Sequence, residues 1–176
     1  MKRAWLALVV LAGASPAAAQ STAPAETVAG VKWIYDSVKG YLTRSAEQMP
    51  EEDYAFRPTA EVRTFAQLLG HIINSHYTYC STVLGEANPN GRNAEEITAK
   101  AEMVTALRDS FAYCDRAYAI PEAKALETIR LYGAERPRFA ALAFNASHDF
   151  EHYGNIVTYM RLKGMVPPSS QRSGGN

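Results

Sequence analysis

Apolar residues recur with a helical period in four segments of the chain, every three or four positions along each segment. The four segments are residues 25–48, 64–85, about 93–118 and about 137–163. Between the last two, residues 121–136 give no clear pattern, and nowhere do two convincing strands alternate. Amphipathic helices joined by short connections are typical of a helix bundle. The pattern therefore predicts an all-α fold, a four-helix bundle.

Residues that commonly begin or end helices lie at the borders of these segments. Asn93 followed by Glu96 is typical of a helix N-terminus, so the third helix is predicted to begin there. Pro137 suits the first turn of the last helix. Gly85 and Gly164 are predicted to end the second and the last helix.

The N-terminal residues have the features of a secretory signal peptide. Lys2 and Arg3 precede a short apolar stretch, and small residues follow at Ala17–Ala19. A retained N-terminal anchor is the alternative, but the apolar stretch is short for a membrane span. We therefore predict cleavage after Ala19 and a periplasmic or secreted protein. The predicted division is a signal peptide at residues 1–19, a linker at 20–27, the bundle at 28–169 and a flexible tail at 170–176.

The charge of the chain excludes some classes of partner. The sequence contains 18 basic and 18 acidic residues. Loss of Lys2 and Arg3 leaves 16 basic residues, so the net charge of the mature chain is near −2 with histidine neutral. A protein that binds nucleic acid needs a basic surface, so no nucleic-acid partner is predicted. We also predict no membrane span in the mature chain.

The two cysteines, Cys80 and Cys114, both fall among apolar neighbours on their predicted helices. Both side chains are therefore expected to point inward. An exported chain favours a disulfide between them, whereas two buried free thiols would act as small apolar residues. The residues alone leave both alternatives open.

His148 and His152 lie four positions apart on the last helix, in a chain with only four histidines. This spacing brings two imidazoles onto one helix face, where they can share a cation. Solvent-facing histidines are the alternative reading. Against it, the residues on the same face carry no charge, as expected for the wall of a cavity rather than a solvated surface. These residues are Ala141, Asn145, Asn155 and Tyr159.

The second helix offers two candidates for a third ligand, and its residues 64–85 include no Asp, Glu, Lys or Arg. His76 lies among apolar residues, which indicates a packed core histidine. His71 lies on a stripe with several hydroxyl side chains, which indicates an enclosed polar space. We therefore expect His71, rather than His76, to join the pair on the last helix.

Two stretches carry a more specific resemblance: "EDYAFRPTAEVRTFAQLLGHI" and "HDFEHYGNIVTYMRLKGMVPPS". Together they resemble the DinB-like (YfiT-like) family of metal-binding four-helix bundles, over roughly Val28 to Ser169. The resemblance implies that His71, His148 and His152 bind one divalent cation. It also implies an up-down-down-up order of helices. Helices two and three would then be parallel, which would put Cys80 and Cys114 at similar heights and supports a disulfide.

In this chain Tyr153-Gly154-Asn155 stands where many members of that family have Arg-Gly-Gln, so a substrate contact made by that arginine does not carry over. On this chain's own residues, Asn155 and Tyr159 share the histidine face and are predicted to contact a substrate. Asp149 and Glu151 project to other sides of the helix and are expected at the surface or behind the ligands.

Three neutral imidazoles leave coordination positions open, which is typical of catalytic rather than structural zinc sites. Imidazole suits zinc, nickel and iron alike, so the identity of the metal stays open. We predict an exported, divalent-metal-binding protein that hydrolyses a small molecule through metal-activated water. The resemblance leaves a thiol-dependent transferase as an alternative. A non-catalytic, metal-stabilised bundle that binds a ligand or a partner is another, and a homodimer stays open.

Overall fold

The computed structural model describes residues 27–171, so the predicted signal peptide, nearly all of the linker and residues 172–176 lie outside the described part. Within it the chain is mainly helical, and the predicted all-α class is confirmed. The α-helices are α1 (Thr27–Gln48), α2 (Phe65–Leu84), α3 (Lys100–Ala117), α4 (Glu122–Ala125) and α5 (Arg138–Leu162). Short 3-10 turns cover Glu51–Asp53, Ala94–Glu96 and Pro168–Ser170.

Both ends of α2 are set by its sequence. Thr64 and Gln67 form a capping box, in which each side chain accepts a hydrogen bond from the backbone of the other. At the other end Gly85 has a φ of 74°, a left-handed conformation that glycine adopts without steric strain. The predicted limits of this helix are therefore confirmed to within a residue.

The predicted start of the third helix is wrong. The side chain of Asn93 does act as a cap, but it accepts from Glu95 N at the head of the 3-10 turn Ala94–Glu96. The backbone is then extended at Ile97, whose side chain is buried, and α3 begins only at Lys100. A capping signal identifies a first turn but does not show that the turn continues as a helix.

Residues 121–136, which gave no clear sequence pattern, contain all but the last residue of a β-hairpin. Strand β1 (Thr128–Leu131) pairs antiparallel with β2 (Ala134–Pro137), joined by Tyr132 and Gly133 with φ values of 50° and 77°. Both turn residues have positive φ, as in a type I′ turn, which usually carries Asn or Asp at the first position. Because Tyr132 occupies that first position, the turn lacks its usual sequence signal. The Tyr132 ring packs on Phe144 of α5, with centroids 5.3 Å apart.

Helices α1 and α2 each pack against both α3 and α5. Cys80 and Cys114 are joined by a disulfide with Cα atoms 5.3 Å apart, and Glu86 meets Arg116 just beyond. These pairs lie near the C-terminal ends of α2 and α3, so those two helices run in the same direction. Because Arg138 at the start of α5 donates to Val83 O near the end of α2, α5 runs in the opposite direction. Within residues 27–171, no helix has both the length and the apolar character that a bilayer span requires.

Candidate metal centre

Three of the four histidines meet in the groove between α2 and α5. His71 Nε2 lies 3.1 Å from His148 Nε2, which in turn lies 3.0 Å from His152 Nε2. One ligand atom from each ring lies within 4.8 Å of the other two. The structure thus brings together the three residues that the sequence analysis selected, and it places the ring nitrogens rather than the carbon edges face to face.

Burial keeps the imidazoles on α5 neutral. Loss of solvent, followed by the neighbouring His152 and His71 rings, lowers the pKa of His148 to about 3. Burial and His71 likewise lower the pKa of His152. A neutral imidazole retains a lone pair on one nitrogen, which is the form that binds a metal.

Glu95 is a site residue that the sequence analysis missed. One carboxylate oxygen lies 3.2 Å from His71 Nδ1, and the other accepts from Arg63 Nε at 3.0 Å. A carboxylate on Nδ1 favours the tautomer that carries its hydrogen there, which leaves Nε2 free to bind a cation. Because Glu95 was assigned to the first turn of the third helix, nothing in its spacing pointed towards His71.

The turn that carries Glu95 lies directly against α2. A Cβ atom on Gly70 would lie 2.4 Å from Ala94 O, so only glycine permits this approach without a shift of the backbone. Asn74 Oδ1 accepts from Ala94 N at 2.9 Å, and Asn74 Nδ2 donates to Asn93 Oδ1 at 2.7 Å. These contacts hold the turn against α2 on both sides of His71, at Gly70 and at Asn74.

A cleft of about 570 Å³ opens beside the histidine cluster. Its walls include His152, Asn155 and Tyr159 from α5, together with residues of the loop before α2. Asn155 is exposed, whereas Tyr159 is 5% exposed and its hydroxyl donates to Arg63 O at 2.7 Å. The two residues predicted to contact a substrate therefore line the same cleft as one of the histidines.

Comparison with known proteins agrees with this architecture. The DinB superfamily model matches residues 34–156. The chain belongs to the DinB superfamily. A DinB-like protein from Bacillus cereus ATCC 10987 has a similar fold, with a TM-score of 0.70 and 13% identity over 80% of this chain and 95% of its own. For a DinB-like protein from Bacillus subtilis the TM-score is 0.64 and the identity 20%, over 81% of this chain and 99% of its own. No curated protein matches the chain.

The histidine cluster of this DinB-superfamily chain fits a divalent cation. Two nitrogens that each lie about 2.0–2.1 Å from one ion, at angles of roughly 90–110°, are about 2.9–3.4 Å apart. Two of the three separations between the ring nitrogens, 3.0 and 3.1 Å, fall in that range. Without a cation, three converging lone pairs repel one another unless one ring turns a hydrogen towards the centre. The donor set, three imidazoles, suits zinc, nickel or iron.

The fourth histidine of the DinB-superfamily chain lies outside this cluster. His76 is completely buried, as expected from its apolar neighbours. Its Nδ1 lies 2.9 Å from Ser110 Oγ, and its Nε2 lies 3.0 and 3.1 Å from the two carboxylate oxygens of Asp149. Since Ser110 Oγ donates to Leu107 O, its lone pair accepts from His76 Nδ1.

Asp149 was expected either at the surface or behind the ligands. The expectation of a surface position is wrong. It is completely buried and bonds to His76 rather than to a member of the histidine cluster. Burial raises the pKa of Asp149, and His76 opposes that shift. The pair therefore links α2 to α5 inside the core, one residue away from His148. Glu151, by contrast, is exposed.

Proposed function

We propose that the chain binds one divalent cation through His71, His148 and His152 and acts as a hydrolase on a small molecule. The observation that carries the proposal is the convergence of three ring nitrogens beside an open cleft. A purely structural ion usually has four protein ligands, whereas three leave a position for a substrate or water.

A bound divalent cation would act as a Lewis acid, polarising a carbonyl or phosphoryl oxygen and lowering the pKa of water. The protein's own residues have separate tasks. Glu95 holds the His71 ring in the tautomer that exposes Nε2, and burial keeps His148 and His152 neutral. In the cleft, the amide of Asn155 and the phenol of Tyr159 are the groups that would orient a substrate.

We also propose that the protein is exported and acts in the periplasm or outside the cell. The sequence of residues 1–19 supports cleavage and export, and the disulfide between Cys80 and Cys114 suits an oxidising compartment. Mass spectrometry of the protein purified from the periplasm or the medium should find Gln20 at its N-terminus. Intact protein retained in the cytoplasm would contradict this part.

The first test of the function is elemental analysis of the purified mature protein. We expect about one divalent cation per chain, and loss of most of it in His71→Ala, His148→Ala and His152→Ala. His76→Gln is the matched control, because a glutamine amide keeps a hydrogen-bonding group beside Asp149. Metal content that is unchanged in His71→Ala would remove the proposed site.

The second test is catalytic. The protein loaded with the metal it naturally contains is screened against ester, amide and phosphoester substrates, and in parallel for transfer of small thiols. We expect hydrolysis that disappears on chelation and in the histidine variants. Thiol transfer without hydrolysis would instead assign a transferase, and bound metal with neither activity would assign a non-catalytic binding protein.

A further inference from the structure

Arg63 lies in the wall of the cleft, and both its backbone and its side chain are fixed. Arg63 O accepts a hydrogen bond from the Tyr159 hydroxyl at 2.7 Å, which ties the loop before α2 to α5. Its Nε donates to Glu95 Oε2 at 3.0 Å. Because Glu95 also contacts His71, a single carboxylate sets the position of the arginine relative to the histidine cluster.

The terminal nitrogens of Arg63 are available for a ligand. Among residues 27–171, its side chain donates only through Nε, and it is 43% exposed. A guanidinium that is held at Nε presents its other hydrogens as a planar fork, which matches a carboxylate or a phosphate.

The other groups in the cleft limit the charge of the ligand. Thr59 and Asn155 offer neutral polar groups, and the carboxylate of Glu61 lies in the same wall. The negative charge of Glu61 would repel a large polyanion that fills the cleft. A single anionic group that lies at Arg63 would instead be attracted by the positive charge of the guanidinium. The cleft volume of about 570 Å³ suits a small molecule rather than a polymer.

We propose that Arg63 binds the anionic group of the substrate, which is a small organic acid or a phosphate ester. This inference rests on the proposed function, because it assigns the class of substrate that the same site takes. The carboxylate or phosphate of the substrate lies on the guanidinium, and the group to be hydrolysed extends towards His152. Glu95 is the positioning residue that keeps these two ends of the site in register.

The test uses the metal-free protein at pH 8, so that an anion cannot bind through a cation or a protonated histidine. Acetate, methyl phosphate and neutral acetamide are titrated while the ¹⁵N–¹H signal of Arg63 Nε and the backbone amides are followed by NMR. We expect acetate or methyl phosphate to shift the Arg63 signal, and acetamide not to. The tighter of the two anions identifies the class of substrate.

The variants separate recognition from general charge. Arg63→Gln should weaken binding of the preferred anion by about ten- to a hundredfold, and Arg63→Lys should restore only part of it. Arg57→Gln is the matched control: Arg57 is an exposed arginine of the same loop that donates to Ala60 O and is absent from the described cleft wall.

Equal loss of affinity in Arg57→Gln and Arg63→Gln would overturn the proposal, as would binding of acetamide as tight as that of the anions. So would no response to either anion. Because the titration needs no metal, an Arg63-dependent anion site in a protein that binds no cation would overturn the proposed hydrolase and leave the anion site standing.

Discussion

Glu95 determines, at the scale of single residues, how His71 is presented to a cation. Replacing it by glutamine keeps the shape of the side chain but removes the charge that favours a hydrogen on His71 Nδ1. Loss of such a supporting partner typically weakens metal binding by about ten- to a hundredfold. We expect that loss for Glu95→Gln, measured by competition with a chelator of known affinity.

Glu96→Gln provides the control for Glu95, because this neighbouring carboxylate is exposed and makes no contact with the cluster among the described hydrogen bonds. Its metal affinity should match that of the unmodified protein. Equal affinities in both variants would show that Glu95 does not support His71. The ¹⁵N shifts of the His71 ring in metal-free protein give an independent reading of the tautomer.

Gly70 is the residue that allows the turn with Glu95 to reach α2. Alanine normally stabilises a helix interior by roughly 1 kcal/mol relative to glycine. At position 70, however, the added Cβ would lie 2.4 Å from Ala94 O, so the backbone must move. We expect Gly70→Ala to lower the free energy of unfolding by about 1–3 kcal/mol, measured by urea denaturation.

The matched glycine is Gly154 in α5, where a Cβ would meet nothing within 4 Å. Gly154→Ala should therefore raise the free energy of unfolding by roughly 0.5–1 kcal/mol. If both variants were stabilised, the close approach of the turn would not be a feature of the folded protein in solution. Gly70→Ala should also weaken metal binding, since it displaces Glu95.

The residues that the sequence could reveal are those whose spacing along one helix has a physical meaning. His148 and His152 share a face because they are four positions apart, and His71 was separated from His76 by its polar neighbours. Glu95 and Arg63 reach the site from two connections, where no periodicity relates a side chain to a face. Asp149 was misplaced in part because it projects to a different side of the helix from the histidine pair, and that side meets His76 in the core.

At the scale of elements, the disulfide joins α2 and α3 in their C-terminal halves. It closes a loop over a sequence separation of 34 residues. A cross-link of that length stabilises a fold by about 3–4 kcal/mol, mainly through the restriction of the unfolded chain. We expect Cys80→Ala with Cys114→Ala to lose about that much free energy of unfolding in urea.

Reduction should give a similar loss in the unmodified protein and leave the double variant unchanged. Thiol titration of the unfolded, unreduced protein should find no free cysteine. Two titratable thiols would show that the cysteines serve only as core residues, which is the alternative that the residues alone left open.

The helices and the hairpin differ in how well their positions can be predicted from the apolar pattern of the sequence. Long amphipathic segments such as α2 and α5 were found because each repeats its apolar face over several turns. The hairpin was missed because each strand has only four residues, all of them partly or fully exposed. Its position depends on the contact of Tyr132 with Tyr79 and Phe144, and such a tertiary contact leaves no local pattern.

For the whole molecule, the groove between α2 and α5 has two kinds of buried polar pairing. His76 and Asp149 hold the helices together in the core, while the histidine cluster lies nearer the solvent and leaves polar atoms unpaired. His148 Nδ1 and His152 Nδ1 are buried without a hydrogen-bond partner among residues 27–171. Burial of these two ring nitrogens without hydrogen-bond partners therefore lowers the stability of the folded protein.

This arrangement makes the stability of the metal-free protein depend on acid. The pKa of His148 is lowered to about 3 and that of His152 is also lowered, whereas an unfolded histidine has a pKa of about 6.5. Below pH 6.5 the unfolded chain therefore binds more protons than the folded one. Linkage then requires the free energy of unfolding to fall as the pH decreases from 6.5 towards 3.

The raised pKa of Asp149 acts in the opposite direction, since its folded form holds a proton that the unfolded chain releases above pH 3.8. A comparison with His148→Gln removes this common contribution. Urea denaturation in the presence of a chelator, at pH 7 and at pH 4.5, should show a larger loss of stability in the unmodified protein than in His148→Gln. Equal losses would contradict the assignment of His148 as an imidazole kept neutral by burial. A larger loss in His148→Gln would mean that another group dominates the acid response.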